Sequence, residues 1–558
     1  MRRSTRAALA AAALVPLAAF AQSRAPANDS IHKEELKADL YYLASDAMRG
    51  RLTGTPEYYL AAGFVESRFE RLGLKPLARQ GAPPAGASWF QPFSLVVSRL
   101  GSGNRLDVIA ADQPVIESKL GEGYYPLIFS ADGRVRAEIA FAGFGILAPA
   151  LDWDDWKSDL LRGRLVLVLD GDPGASDPAS VFDGLVNSEY SVALRKTLWA
   201  QEKGAAGILF VNARQQDQGQ NRFAVASRSY WPEKPPRVER YTLASLADKV
   251  RIPAAQVSPA IARLLLAGAD LAELARQAER PGGVTPLAVA SRAELRVSLN
   301  RHVVEDRNVI AMIEGSDPRR KDEAVLISAH YDHNGADGDQ VFNGADDNGS
   351  GTVALLEIAE AYALAARQGA RPARSVLFAA WGSEERCCGP LLGAWAWAEH
   401  PLWPLEKTVA VLNMDMLGRS EEVPEGGGSR FNGLKIQTAL SNANSVNILG
   451  YSFSPDMAEG ARAANRETDL LLRFRYDNNR SQLLRRSDHW VFLQRGVPAL
   501  WFHTGLHPDY HTIYDRPEKI DYGKIERIAR LVHQLSWNLA QQEGRPRMPA
   551  RRVIPEPD

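Results

Sequence analysis

At 558 residues the chain exceeds one ordinary domain, and 45% hydrophobic with 24% charged residues is the make-up of a globular protein with a large core. A formal net charge of −1 supplies no general attraction for nucleic acid or an anionic membrane, which argues against a polyanion-binding protein.

In chain order, the N-terminus reads first as an address. Arg2, Arg3 and Arg6 precede an apolar run from Ala8 to Phe20, and Ala19-Phe20-Ala21 has the form of a signal-peptidase site. Residues 1–21 are therefore expected to be removed. The mature protein should begin near Gln22 and work in the periplasm or outside the cell. No later segment is apolar for long enough to cross a bilayer, so no membrane partner is expected.

Residues 33–74 carry two amphipathic helical stretches separated by Met48-Arg-Gly-Arg-Leu-Thr-Gly-Thr-Pro56, the second running from Tyr58 to Leu72 and stopping at Gly73. Residues 79–90, rich in Gly, Ala and Pro, predict a loop. Beyond Pro126, Arg164–Asp170 is a short buried strand, Thr197–Lys203 is helical, and Gly204–Val211 is another buried strand. Ile252–Val257 and a helix over Ala260–Ala278 follow.

From Asn308 the chain alternates buried strands with helices. The strands are Ala324–Ser328, Ser375–Ala380, Thr408–Met414 and Val497–Phe502; helices span Ser350–Ala366 and Gly523–Gln541. That alternation predicts an α/β domain on a largely parallel sheet. The Gly-rich stretch Glu425–Gly433 reads as a rim element, and the Pro- and Arg-rich tail should fray. The only two cysteines, Cys387 and Cys388, are neighbours. Adjacent Cα atoms lie ~3.8 Å apart, closer than the usual ~4.4–6.8 Å of a disulfide, so the pair reads as two thiols, with a strained vicinal bridge as the alternative.

Five polar clusters sit just after buried strands or in loops, where open α/β sheets collect ligands. In Ala329-His330-Tyr-Asp332-His333, His330 is a candidate ligand and Asp332 is placed to fix its tautomer. A polar turn would look similar. Gly344-Ala-Asp346-Asp347-Asn-Gly-Ser-Gly351 sets two carboxylates in a glycine-rich loop, a repulsion that a cation would relieve; an acidic helix start is the alternative. Glu384 and Glu385 suggest one metal ligand and one general base, with a surface charge pair as the alternative. Asp415 ends a strand, and His511 lies in Pro508-Asp-Tyr510-His511-Thr-Ile-Tyr-Asp515. His400 and His533 have no such company and read as surface or core histidines. Two histidines and three carboxylates suit zinc, with manganese or cobalt possible, and exceed what one catalytic zinc needs.

In this order and context the five clusters resemble the co-catalytic dizinc aminopeptidase family of peptidase clan MH, which includes secreted bacterial leucyl aminopeptidases and glutamate carboxypeptidase. The resemblance implies a three-layer zinc-peptidase domain with a mixed, largely parallel sheet, formed from 30–125 and 290–545. Residues 126–289 resemble a protease-associated (PA) domain inserted into it, on the marks of a buried strand, a helix running into Gly204-Ala-Ala-Gly207 and the Ile252-Pro253 strand; 546–558 form a flexible tail. It further implies two zinc ions held by His330, Asp347, Glu385, Asp415 and His511, with Asp347 bridging and Asp346 at a variable position. Glu384 would be the general base, Asp332 the partner of His330, and Tyr510 a hydrogen-bond donor to the developing oxyanion. A cis peptide at Asp347-Asn348 belongs to the same pattern.

The implied activity is exopeptidase action on peptides, with amino-terminal hydrolysis first. A dipeptidase or a carboxypeptidase of the glutamate carboxypeptidase type is the alternative. A glutaminyl cyclase, which uses one zinc, and a non-catalytic receptor-like module are the readings from other classes. One departure stands out: relatives continue the Glu pair with Gly-Leu-Leu-Gly-Ser, whereas this chain has Arg386-Cys-Cys-Gly-Pro-Leu-Leu-Gly393.

Overall fold

A computed structural model describes residues 24–78, 87–110, 114–213, 222–385, 391–550 and 552–558. The signal-peptide reading, most of the 79–90 loop, Cys387, Cys388 and the start of the Arg386–Gly393 departure lie outside them.

Two sheets carry the architecture. In the larger, the strands run in the order Tyr241–Leu243, Phe90–Leu100, Leu299–Ile313, Ser375–Trp381, Ala324–His330, Thr408–Met414, Ala499–His503, Ser445–Leu449 and Leu471–Phe474. Ser375–Trp381, Ala324–His330, Thr408–Met414 and Ala499–His503 are mutually parallel. They are buried along their whole length, as expected of strands covered on both faces.

Alternate side chains then feed two cores. Val325, Ile327 and Ala329 pack with helices Pro56–Arg71, Gly351–Arg367 and Tyr522–Gln541 on one face. Ala324 and Leu326 pack with helices Leu392–Glu399 and His489–Gln494 on the other. The result is a three-layer α/β domain. Local chemistry fixes the helix starts: Thr55 caps the N–H of Tyr58 ahead of Pro56, and Asp521 caps Lys524 at 3.0 Å.

The second sheet orders Ile116–Ser118, Arg105–Ala110, Leu287–Val297, Gly133–Phe141, Leu165–Leu169, Gly207–Val211, Ala254–Val257 and Tyr124–Pro126. Its strands thus span Arg105 to Val297, wider than the expected 126–289. The extra strands escape a sequence reading because they are short or half-exposed; Arg105–Ala110 is defined by its pairing with Leu287–Val297. Conversely, Tyr241–Leu243 leaves this unit to pair with Phe90–Leu100 at the edge of the larger sheet.

Two further expectations change. The helix over 260–278 is two helices, Pro259–Leu265 and Leu271–Ala278. Ala267 and Gly268 both take positive φ between them, and Asp270 starts the second by capping Ala272. The tail after 545 has no helix or strand among the described residues, yet it is held rather than frayed. Arg547 pairs with Asp456, Arg552 with Asp183, and the Asp558 carboxylate accepts the N–H of Tyr476. Charged side chains, not apolar periodicity, do the anchoring. Among the described residues no helix is long and apolar enough to cross a membrane.

Candidate metal centre

The four parallel strands end at one place, and their carboxyl ends supply the polar clusters. His330 is the last residue of its strand, Glu384 and Glu385 follow Trp381, Asp415 follows Met414, and the 507–511 loop follows His503. The fifth contribution comes from the loop before helix Gly351–Arg367. There the Asp347-Asn348 peptide is cis. The Asn348 amide donates to the carbonyl of Met414 at 2.9 Å and its Oδ1 accepts the N–H of Gly351, tying the loop to the strand that bears Asp415.

His330 is fully buried. Its Nε2 lies 3.4 Å from Oδ1 of Asp347, 3.6 Å from Oδ1 of Asp415 and 3.8 Å from Oε2 of Glu384. The other oxygen of Asp347 is 2.9 Å from Nε2 of His511, which in turn is 3.0 Å from Oε2 of Glu385. Asp347 therefore offers one oxygen to each histidine. Two ligand groups emerge, His330–Glu384–Asp415 and His333–Asp347–Glu385, each compact enough to hold a cation.

The donor atoms fit metal better than they fit one another. Both ring nitrogens of His330 and Nε2 of His511 are buried without a hydrogen-bond partner among the described residues. Such orphaned groups are costly unless something else binds them. Mixed imidazole and carboxylate donors suit zinc.

Without a cation the charges lean on each other. Burial disfavours a charged His330, but Glu384 and Asp415, with Asp332 and Asp347, outweigh it and raise its pKa well above the ordinary range. Burial and Asp347 push Glu385 up, yet His511 and His333 bring it down to about 2. Burial, helped by Asp415 and Asp488, lifts Glu384 well above the usual carboxylate range. Burial likewise raises Tyr510, so it keeps its proton; its ring stacks on His511 at 3.8 Å.

Several partners of these groups are not visible as motifs. Asp346, expected at a variable position, is fully buried, with Oδ2 3.3 Å from Nε2 of His507. Asp515 accepts the main-chain N–H of Asp346 and of Asp347. Ser487 donates to Oδ2 of Asp415 at 2.5 Å and accepts from Asn413. Arg51, fully buried, donates to the carbonyls of Leu43, Tyr331, Asn343 and Gly344. It joins the loop after His330 to the loop before Asp347. Asp346 stood inside a quoted motif and Arg51 inside the break between two helices, but nothing in the sequence assigned either of them these partners. The Glu425–Gly433 stretch contributes nearby, through Arg430, which donates to the carbonyl of Tyr510.

Residues 308–536 match the model of peptidase family M28. Among curated proteins, the chain is 32% identical over 213 residues to a probable glutamate carboxypeptidase, AMP1, of Arabidopsis thaliana, covering 37% of this chain and 26% of that protein. It is 35% identical over 137 residues to aminopeptidase NAALADL1 of Mus musculus, covering 24% and 16%. The alignments thus span about a quarter or less of those relatives. Among solved structures, an aminopeptidase from Aneurinibacillus sp. strain AM-1 aligns over 95% of this chain and 98% of its own, at 17% identity and a TM-score of 0.46. The zinc aminopeptidase BSAP from Bacillus subtilis aligns over 92% and 96%, at 18% and 0.41. The matched segment, residues 308–536, holds His330, Asp347, Glu384, Glu385, Asp415 and His511, so the candidate ligands and the candidate base all lie where the chain is similar to peptidase family M28.

Proposed function

We propose that the chain is a zinc-dependent exopeptidase that removes amino-terminal residues from peptides. The observation that carries this reading is Asp347, whose two oxygens face His330 and His511 across a gap lined by Glu385 and Asp415. Two zinc ions would be held there, one by His330 and Asp415, one by Glu385 and His511, with Asp347 shared. Bound zinc would lower the pKa of a water and polarise the scissile carbonyl.

The chain's own residues do the rest. Glu384, beside this group and 8% exposed, takes the proton of the attacking water and passes it to the leaving amine. Asp332 keeps His330 in register, with Oδ1 3.5 Å from Nδ1. The protonated Tyr510 hydroxyl donates to the carbonyl oxygen as charge develops on it.

The second sheet would act as an inserted PA-like unit that restricts entry to short or terminal peptide. Its Arg237 lies 3.4 Å above the ring of Phe342, on the loop leading to Asp347. Leu185 and Asn187 also bond to Asn478 and Gln482 of the peptidase part. Residues 1–21 would direct export to the periplasm or beyond.

A carboxyl-end specificity is the second reading, and the match to a probable glutamate carboxypeptidase supports it. A panel of free-amine, blocked-amine and carboxyl-blocked peptides, assayed with chelator and with added zinc, tests both. Cleavage that needs a free amine and zinc is expected. Cleavage of blocked-amine peptides only would replace the first reading with the second, and cleavage indifferent to chelator would end both.

A further inference from the structure

One buried histidine, grouped with Asp347 and Glu385 around a possible cation position, has no role in the reaction proposed above. His333 is fully buried, three residues beyond His330. Its main-chain N–H donates to the carbonyl of Arg51, which fixes the turn that carries it. Its Nδ1 meets Oε1 of Glu385 in a short contact. The second oxygen of the same carboxylate, Oε2, is the one turned to Nε2 of His511 at 3.0 Å. Each oxygen of Glu385 thus answers to a different imidazole.

The backbone is cut to fit this ring. Gly344 has φ of +57°, and a Cβ there would lie 2.3 Å from Cγ of His333 and 2.4 Å from its Cδ2. No other residue would leave the ring its place. The ring stands edge-on to His511, with centroids 5.8 Å apart.

We propose that His333 is a positioning residue of the second metal half-site. Resting on the dinuclear reading above, it donates Nδ1–H to Oε1 of Glu385 and reserves Oε2 alone for the ion. An ionised carboxylate only accepts, so the contact requires the proton on Nδ1. The two halves of the centre are then built alike, a carboxylate steadying a histidine on one side and a histidine steadying a carboxylate on the other. Partners that orient a ligand in this way alter metal affinity by ~10–100-fold.

The test compares wild type, His333→Ala and His333→Asn, stripped of metal and titrated with zinc in competition with a chromophoric chelator. An Asn amide can place an N–H near the position of Nδ1 but cannot replace an imidazole as a ligand. Wild type should take up two ions. His333→Ala should bind one as wild type does and the other ~10–100-fold more weakly, and His333→Asn should recover most of that loss. The metal-free melting temperature of His333→Asn should match wild type.

An Ala variant with both affinities intact, or both lowered equally, overturns the proposal. An Asn variant no better than Ala also overturns it, in favour of direct ligation by His333. A wild-type protein that binds a single ion refutes the dinuclear reading itself, a result separable from any behaviour of position 333.

Discussion

Oδ1 of Asp332 accepts the main-chain N–H of Glu384 at 3.0 Å. Oδ2 accepts that of Glu385 at 3.1 Å, and Oδ1 also lies 3.5 Å from the ring of His330. One buried carboxylate therefore sets the distance between a metal-facing imidazole and the glutamate pair. Asp332→Ala should lower kcat by ~10–100-fold and weaken binding of the His330-side ion, measured by steady-state kinetics and chelator competition. Wild-type values for both would show that Asp332 is idle.

Glu384→Gln keeps the shape of the side chain and removes its ability to take a proton. Turnover should fall at least ~10²-fold, while zinc content by elemental analysis stays near that of wild type. Loss of zinc along with turnover would make Glu384 a ligand rather than a base.

On the proposed dinuclear reading, Asp347 is the residue through which the two half-sites touch. Asp347→Ala should strip both ions in dialysed protein, because each loses an oxygen donor and the pair loses its bridge. A preparation still carrying two equivalents would place the bridge elsewhere.

Arg51 exerts its effect at a distance from the reacting atoms. Replacing it with Met leaves the carbonyls of Leu43, Tyr331, Asn343 and Gly344 without their donor. Each buried unsatisfied group costs ~1–3 kcal/mol, so a loss of at least ~3 kcal/mol in urea unfolding is expected. An unchanged midpoint would mean that water replaces the guanidinium.

His533 makes stability depend on pH. Burial alone brings its pKa down from 6.5 to about 3. The unfolded chain takes a proton below pH 6.5 while the native ring does not, so native stability is complete above 6.5. It is lost as pH falls towards 3, at about 1.4 kcal/mol per unit. Between pH 7 and pH 5 this one group should remove about 2 kcal/mol. His489, also lowered by burial to about 3, adds a second increment. Urea midpoints for His533→Gln should fall less steeply over that interval than those of wild type.

The members of the candidate site were legible wherever one side chain carries its chemistry in its own type and place. His330, Asp347, Glu384, Glu385, Asp415 and His511 each follow a strand or enter a helix, and periodicity located those elements. Asp515, His507 and Ser487 were not legible, because their partners are chosen by tertiary approach: Asp515 is recognised only by the two N–H groups pointing at it. The fold divides the same way. Buried parallel strands such as Ala324–His330 announce themselves as apolar runs. Phe90–Leu100, with Pro92 and several polar residues, becomes a strand through its register with Leu299–Ile313.

That register carries a consequence for how the polypeptide reaches its final form. Leu100 pairs with Leu299 and Phe90 with Val309, and every strand of the second sheet lies between those partners in the chain. The peptidase sheet therefore cannot acquire its first long strand until the intervening unit has drawn its own ends together. Long-range pairing of this kind is slow, and an unpaired strand left waiting is a hazard for aggregation. Assembly should run from the inside of the sequence outward, with the inner sheet as the clasp that brings 90–100 to 299–313. A lesion confined to the inner sheet would then register as a failure of the metal centre to form at all.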